Sequence, residues 1–271
     1  MAMIEVEPGV SLFVQDWGKG RPFVFIPGWP LDYRIFEYYM MKVAMQGYRA
    51  IAMDLRGFGQ SDKPWDGNNY DTWADDIGIV IARLKLQNVV LTGYSMGGAI
   101  AAHYVARHRD PRVTRMALLG ASLPTATPIP KLEKAIANFL HDGVEEKAKL
   151  INTFNKLTLT SPISFAYNMW LTSIGMSASL RAVTCGLEEL FHRDLEPELS
   201  AIEVPTLICH GTKDIVVPFK QAEKTWRLIR NATLVPFKKS GHWLIIDERH
   251  KLTETLLTFA RAGGAAEAKA A

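Results

Sequence analysis

Short apolar runs alternate with helical spacings over the first 120 residues, and this alternation constrains the fold more than any other feature. Ser11–Trp17 and Arg21–Ile26 read as strands around a Gly18-Lys-Gly20 turn. Tyr33–Gln46 has helical spacing and stops at Gly47. Tyr48–Asp54 is the next strand. A helix over Trp73–Leu86 follows, with Thr72 as its expected cap. Asn88–Gly93 and Arg115–Gly120 are short buried strands on either side of a helix over Met96–His108. Strand and helix alternating at this pace predict a mostly parallel central sheet with helices on both faces, an α/β fold.

The alternation then breaks. Ser122–Ala201 shows no strand pattern, only helical stretches at Lys131–Leu140, Val144–Leu157 and about Phe165–Leu190. It resumes with a strand at Pro205–His210, a helix at Lys220–Ile229, a strand at Thr233–Pro236 and a helix at Asp247–Ala260. The expected organisation is therefore a core of residues 1–121 and 202–262. Residues 122–201 form a helical cap (lid) over one end of the sheet. The Gly/Ala-rich residues 263–271 are expected to be a frayed tail.

Composition excludes several classes of function. A hydrophobic fraction of 48% supplies a large core, so extended disorder is not expected. Lys and Arg number 31 against 28 Asp and Glu, with no dense basic stripe, so no nucleic-acid partner is expected. The most apolar window, Val89–Ala106, is interrupted by Gly93-Tyr-Ser-Met-Gly-Gly98 and contains His103, so no membrane span is expected. Cys185 and Cys209 make no disulfide framework, and a cytoplasmic location is expected. Gly57-x-Gly59 lacks the third glycine of a dinucleotide loop, and no phosphate-loop, zinc-protease or Cys-x-x-Cys pattern occurs. Neither metal nor cofactor is implied.

Gly93-Tyr-Ser-Met-Gly-Gly98 follows a strand and opens a helix, the context in which a sharp turn exposes a nucleophilic serine. The helix starting at Met96 aims free N–H groups toward developing negative charge. A serine hydroxyl needs a base, and the base needs an orienting group. Asp214 lies after the Leu207–Cys209 strand, and His242 lies after the next strand, so both loops reach the same sheet edge as Ser95. Of the six other histidines, His210 is the nearest rival as base because it ends a strand beside Asp214. A strand-end histidine with its bonds satisfied is the better reading of it.

Six stretches together resemble the α/β-hydrolase superfamily. They are Ile26-Pro-Gly-Trp-Pro-Leu31, Asp54-Leu-Arg-Gly-Phe-Gly-Gln-Ser-Asp62, Tyr70-Asp-Thr-Trp-Ala-Asp-Asp-Ile77, the Ser95 turn, Asp214-Ile-Val-Val-Pro-Phe219 and Gly241-His242. Within the superfamily they are similar to bacterial serine esterases related to cofactor-free haloperoxidases (perhydrolases). The resemblance reaches about Ala262. It implies a carboxylesterase with Ser95, His242 and Asp214 as triad, and with the backbone N–H groups of Trp29 and Met96 as oxyanion hole. Pro27 stands where the family usually has a histidine that braces this loop. Pro30 resembles the perhydrolytic members, so peracid formation from hydrogen peroxide is an expected side activity.

Tyr94, Val216 and Trp243 flank the triad positions and are expected to line the pocket. The insertion adds Phe139, Phe154, Phe165, Tyr167 and Trp170, of which Phe165 and Trp170 are the chosen pocket candidates. The expected substrate is a small, mostly uncharged ester, and a homo-oligomer is allowed. A lactonase, amidase or carbon–carbon bond hydrolase would keep the same triad. A non-catalytic receptor on this fold would not need it intact.

Overall fold

The computed structural model describes residues 1–124 and 130–262, with only the backbone of 130–133 and 142. The tail expected at 263–271 lies outside the described residues. Eight strands among the described residues form one sheet: β1 (Ala2–Glu7), β2 (Val10–Gly18), β3 (Pro22–Ile26), β4 (Arg49–Met53), β5 (Val89–Tyr94), β6 (Val113–Leu119), β7 (Thr206–Gly211) and β8 (Ala232–Phe237). The spatial order is β1-β2-β4-β3-β5-β6-β7-β8. β2 runs antiparallel to β1 and β4, and every pairing from β4 to β8 is parallel.

Helices α1 (Glu37–Ala44), α2 (Tyr70–Arg83) and α3 (Met96–His108) accompany the first half. Between β6 and β7 lie α4 (Pro130–Asp142), α5 (Val144–Thr158), α6 (Phe165–Met176), α7 (Leu180–His192) and α8 (Glu196–Leu199). α9 (Phe219–Leu228), α10 (Leu244–Asp247) and α11 (Arg249–Arg261) complete the chain. Among its described residues the segment between β6 and β7 holds helices joined by loops, with no strand.

The central strands are buried on both faces. β3 and β5 have no exposed residue, which is why their sequences are unbroken apolar runs and not alternating ones. α3 is buried over its first eleven residues, Met96–Ala106. Its glycines and alanines let it lie close against the sheet.

Three expectations about local structure are corrected. β1 was not foreseen: it is an edge strand that turns only Ile4 and Val6 inward. α2 starts earlier than its pattern suggested, because Asn69 and not Thr72 is the cap. The Asn69 side chain accepts from the Thr72 N–H at 2.9 Å. The long helix read over Phe165–Leu190 is two helices, broken at Ser177–Ser179, where Ser179 caps α7 by accepting from the Ala182 N–H at 3.0 Å.

The sheet order reverses at β3. The chain steps from β3 to β4 on one side, and β5 then pairs with β3 on the other. In parallel sheets, ligands bind outside the strand C-termini at such a switch point. The register Ile26↔Gly93 sets the loop after β3 beside the turn after β5.

Candidate active site

Ser95 occupies the turn between β5 and α3 with φ 52° and ψ −121°. This backbone conformation costs a non-glycine residue about 1–3 kcal/mol, and its surroundings must hold it there. The Ser95 N–H donates to the Leu119 carbonyl at 2.9 Å, and its carbonyl accepts from Gly98 N–H at 2.9 Å. The turn is also packed from outside. A Cβ on Gly97 would lie 2.3 Å from the Ile26 carbonyl oxygen, and one on Gly28 would lie 2.8 Å from Ser95 Cβ. Only glycine fits at either position, so the β3 loop and the serine turn are in backbone contact.

His242 and Asp214 come to the same edge from the loops after β8 and β7. Ser95 Oγ lies 2.9 Å from His242 Nε2, and His242 Nδ1 lies 2.9 Å from Asp214 Oδ2. All three side chains are buried. Asp214 Oδ1 accepts the N–H groups of Val216 at 2.8 Å and Val217 at 2.9 Å. Burial alone would raise the Asp214 carboxyl. The neighbouring His242, with His210, overrides it and holds the group well below the usual carboxylate range. An ionised aspartate here fixes the imidazole orientation and offsets charge gained at its far nitrogen.

His210, the rival base, is buried with its Nε2 donating to the Val217 carbonyl at 2.7 Å and lying 3.3 Å from Asp214 Oδ2. Its hydrogen bond is spent on the acid's own loop, away from Ser95. His103, on α3, sits between Glu198 at 2.5 Å and Asp71 at 2.8 Å. His108 meets Asp75 at 2.8 Å, and His250 meets the Tyr38 hydroxyl at 3.1 Å.

The N–H of Met96 heads α3, where no intrahelical acceptor exists. Neither it nor the N–H of Trp29 donates to a protein acceptor among the described residues. Met96 follows Ser95 in the chain, and Trp29 follows Gly28, whose added Cβ would lie 2.8 Å from Ser95 Cβ. N–H groups without a protein acceptor are able to donate to an oxygen that gains negative charge.

The pocket candidates divide. Tyr94 packs behind the histidine: its hydroxyl donates to the His242 carbonyl at 3.3 Å, and the two rings are 5.6 Å apart. Val216 serves Asp214 through its backbone. Trp243 is buried, its indole donating to Thr158 Oγ1 at 2.7 Å. Trp243 and Trp170 line a cavity of about 230 Å³ with Tyr38, Tyr39, Tyr167 and Arg249, and Ser95 does not line it. The expectation for Phe165 is corrected. As the first residue of α6 it is 80% exposed, turned to solvent and not toward the triad.

Sequence reasoning passed over the contacts of three residues. Phe154 was noted only among the insertion's aromatics, yet its ring meets Trp29 at 5.8 Å and His242 at 6.0 Å. Ser122, after β6, brings its Oγ to 3.4 Å from Ser95 Oγ. Thr158 holds Trp243. No local pattern marks any of them, because each partner lies at least 27 residues away in the chain.

A family model described as the alpha/beta hydrolase fold matches residues 21–162. The chain belongs to the α/β-hydrolase family. This α/β-hydrolase is 40% identical over 261 residues to an AB hydrolase superfamily protein (YisY) of Bacillus subtilis, spanning 94% of this chain and 97% of the relative. It is 31% identical to a bifunctional esterase/perhydrolase (DCH) of Acinetobacter calcoaceticus, spanning 96% of this chain and 100% of the relative. Among solved structures it is similar to an esterase from Exiguobacterium antarcticum, with TM-score 0.90 and 34% identity over 96% of this chain and 99% of that one. Among the described residues no helix is long and apolar enough to cross a membrane.

Proposed function

We propose that this α/β-hydrolase cleaves carboxylic esters of small, mostly uncharged substrates through an acyl-enzyme on Ser95. One observation carries the reading: the unbroken line from Ser95 Oγ through His242 to Asp214, with both links at 2.9 Å. The esterase names of the Acinetobacter and Exiguobacterium relatives support it.

Ser95 Oγ attacks the ester carbonyl as His242 Nε2 takes its proton. The carbonyl oxygen becomes an oxyanion held by the N–H groups of Trp29 and Met96. The tetrahedral intermediate collapses, the C–O bond to the alcohol breaks, and His242 returns the proton to the departing alkoxide. Water, deprotonated by His242, then attacks the acyl carbonyl and releases the acid and free Ser95. Phe154, in ring contact with both His242 and Trp29, puts apolar surface beside the base, which favours an uncharged acyl group.

Hydrogen peroxide in place of that water yields a peracid, and the Acinetobacter relative is named an esterase/perhydrolase. Helices α4–α8 act as the lid of the hydrolase core. The partner is a small-molecule ester and not a nucleic acid. Both cysteines are buried and free, which fits a reducing, cytoplasmic setting. A panel of aryl and alkyl esters, lactones and amides, with and without peroxide, tests the assignment. Esters turned over fastest support it, whereas turnover confined to lactones or amides replaces it.

A further inference from the structure

Pro27, two residues before Trp29, offers the loop no side-chain hydrogen bond. A different brace exists. Trp29 Nε1 donates to the Val183 carbonyl at 3.0 Å, on α7 of the cap. The indole rests in a notch on the same helix: a Cβ on Gly186 would lie 2.7 Å from Trp29 Cδ1 and 3.5 Å from Met96 Sδ. Trp29 is buried there, 4% exposed.

α7 is itself tied to the sheet domain along its length. The Ser179 N–H at its start donates to the Gly57 carbonyl at 2.8 Å. Ala182 packs against Gly57 so closely that a Cβ on that glycine would be 2.3 Å from Ala182 Cβ. Glu189 accepts from the Tyr70 N–H at 3.3 Å, and Arg193 meets Asp71 at 3.1 Å. These contacts hold α7 to the sheet domain near both of its ends.

We infer that α7 positions the oxyanion hole: the Val183 carbonyl and the Gly186 notch fix the Trp29 indole, and through it the Trp29 backbone N–H. Val183 and Gly186 are positioning residues that act through Trp29 and touch no reacting atom. The inference rests on the ester-hydrolase reading above. Its physical basis is that an oxyanion donor works only within hydrogen-bond reach of the developing charge, and a misplacement of about 1 Å costs on the order of 10²-fold in rate. A cap helix thereby bears on catalytic rate as well as on which substrate enters.

Trp29→Phe keeps a ring in the notch and the backbone N–H but removes the indole donor. Gly186→Ala places a methyl group against the indole. Both are compared with wild type and Ser95→Ala on 4-nitrophenyl acetate, with active sites counted by titration. Affinity for a boronic acid that forms a tetrahedral adduct is measured alongside. The expected result is a kcat lowered roughly 10- to 100-fold in each variant. KM should stay within about twofold, and boronate affinity should fall in parallel with kcat/KM. A merely structural role would reduce the titratable fraction and leave kcat per site and boronate affinity unchanged. That result, or a change in KM alone, overturns the inference. Should Gly186→Ala not fold, Trp29→Phe carries the test by itself. If Ser95→Ala turns over as fast as wild type, the ester-hydrolase reading fails and this inference falls with it. If Ser95→Ala is inactive and Trp29→Phe matches wild type, only the inference falls.

Discussion

Phe154 of α5 meets the ring of His242 edge-on, with centroids 6.0 Å apart and planes at 87°. The same ring meets Trp29 at 5.8 Å and 82°. One side chain from the helices between β6 and β7 thus touches both the proposed base and the loop of the proposed oxyanion hole.

Phe154→Ala should therefore do two things. Removing a buried phenylalanine costs about 3–5 kcal/mol of stability. The space it leaves beside His242 should raise kcat/KM for longer acyl chains relative to acetate. Rates across a series of 4-nitrophenyl esters check this, with urea unfolding on the same samples. Lost stability with unchanged chain-length preference would make Phe154 core and not pocket wall.

Gly97→Ala tests how tightly the serine turn and the β3 loop must meet. The added Cβ would lie 2.3 Å from the Ile26 oxygen and 2.4 Å from the Pro27 oxygen, both backbone atoms. The β3 loop must retreat, carrying Trp29 away from Ser95. We expect kcat to fall by roughly 10²-fold. Steady-state kinetics near wild type would mean that this approach is not demanding.

Asp54 gives a pH prediction for stability. It is fully buried near Asp32, accepting the N–H groups of Tyr33 at 2.7 Å and Gln60 at 2.8 Å. Burial first, then Asp32, pushes its carboxyl up to about 7, against the pull of those N–H groups. The folded state thus binds the proton more tightly than the unfolded chain, whose carboxyl titrates near about 4. The resulting stability is fully present below about pH 4 and is lost as pH rises through about 7, a term of about 4 kcal/mol. Asp54→Asn removes that dependence. Urea unfolding from pH 5 to 8 should show wild type losing ground to the variant as pH rises. A constant difference across that range would contradict the shift.

The sequence made the Ser95 turn legible because the hydrophobic period changes there from an unbroken strand run to a glycine-rich helix. Asp214 and His242 were legible because each follows an apolar strand, and parallel strands bring their loops to one edge. β1 was not legible, since an edge strand with two inward residues has little pattern to show. The break at Ser177–Ser179 was hidden by apolar spacing that continues across it. Phe165 misled because an aromatic at a helix start carries no sign of which way the helix will face. The contacts of Trp29 with Val183, and of Trp243 with Thr158, join residues 154 and 85 positions apart. Such pairs are set by how the helices between β6 and β7 pack on the rest of the chain, and single-chain patterning does not record that.

The central claim is that Ser95 is the nucleophile of an ester hydrolase, and Ser95→Ala tests it most directly. Turnover of 4-nitrophenyl acetate should fall roughly 10⁴-fold or more, as triad members act as one unit. The melting temperature should stay close to wild type, because among the described residues the hydroxyl bonds only to His242 and Ser122. A folded Ser95→Ala protein that hydrolyses the ester at a rate near wild type would contradict the account.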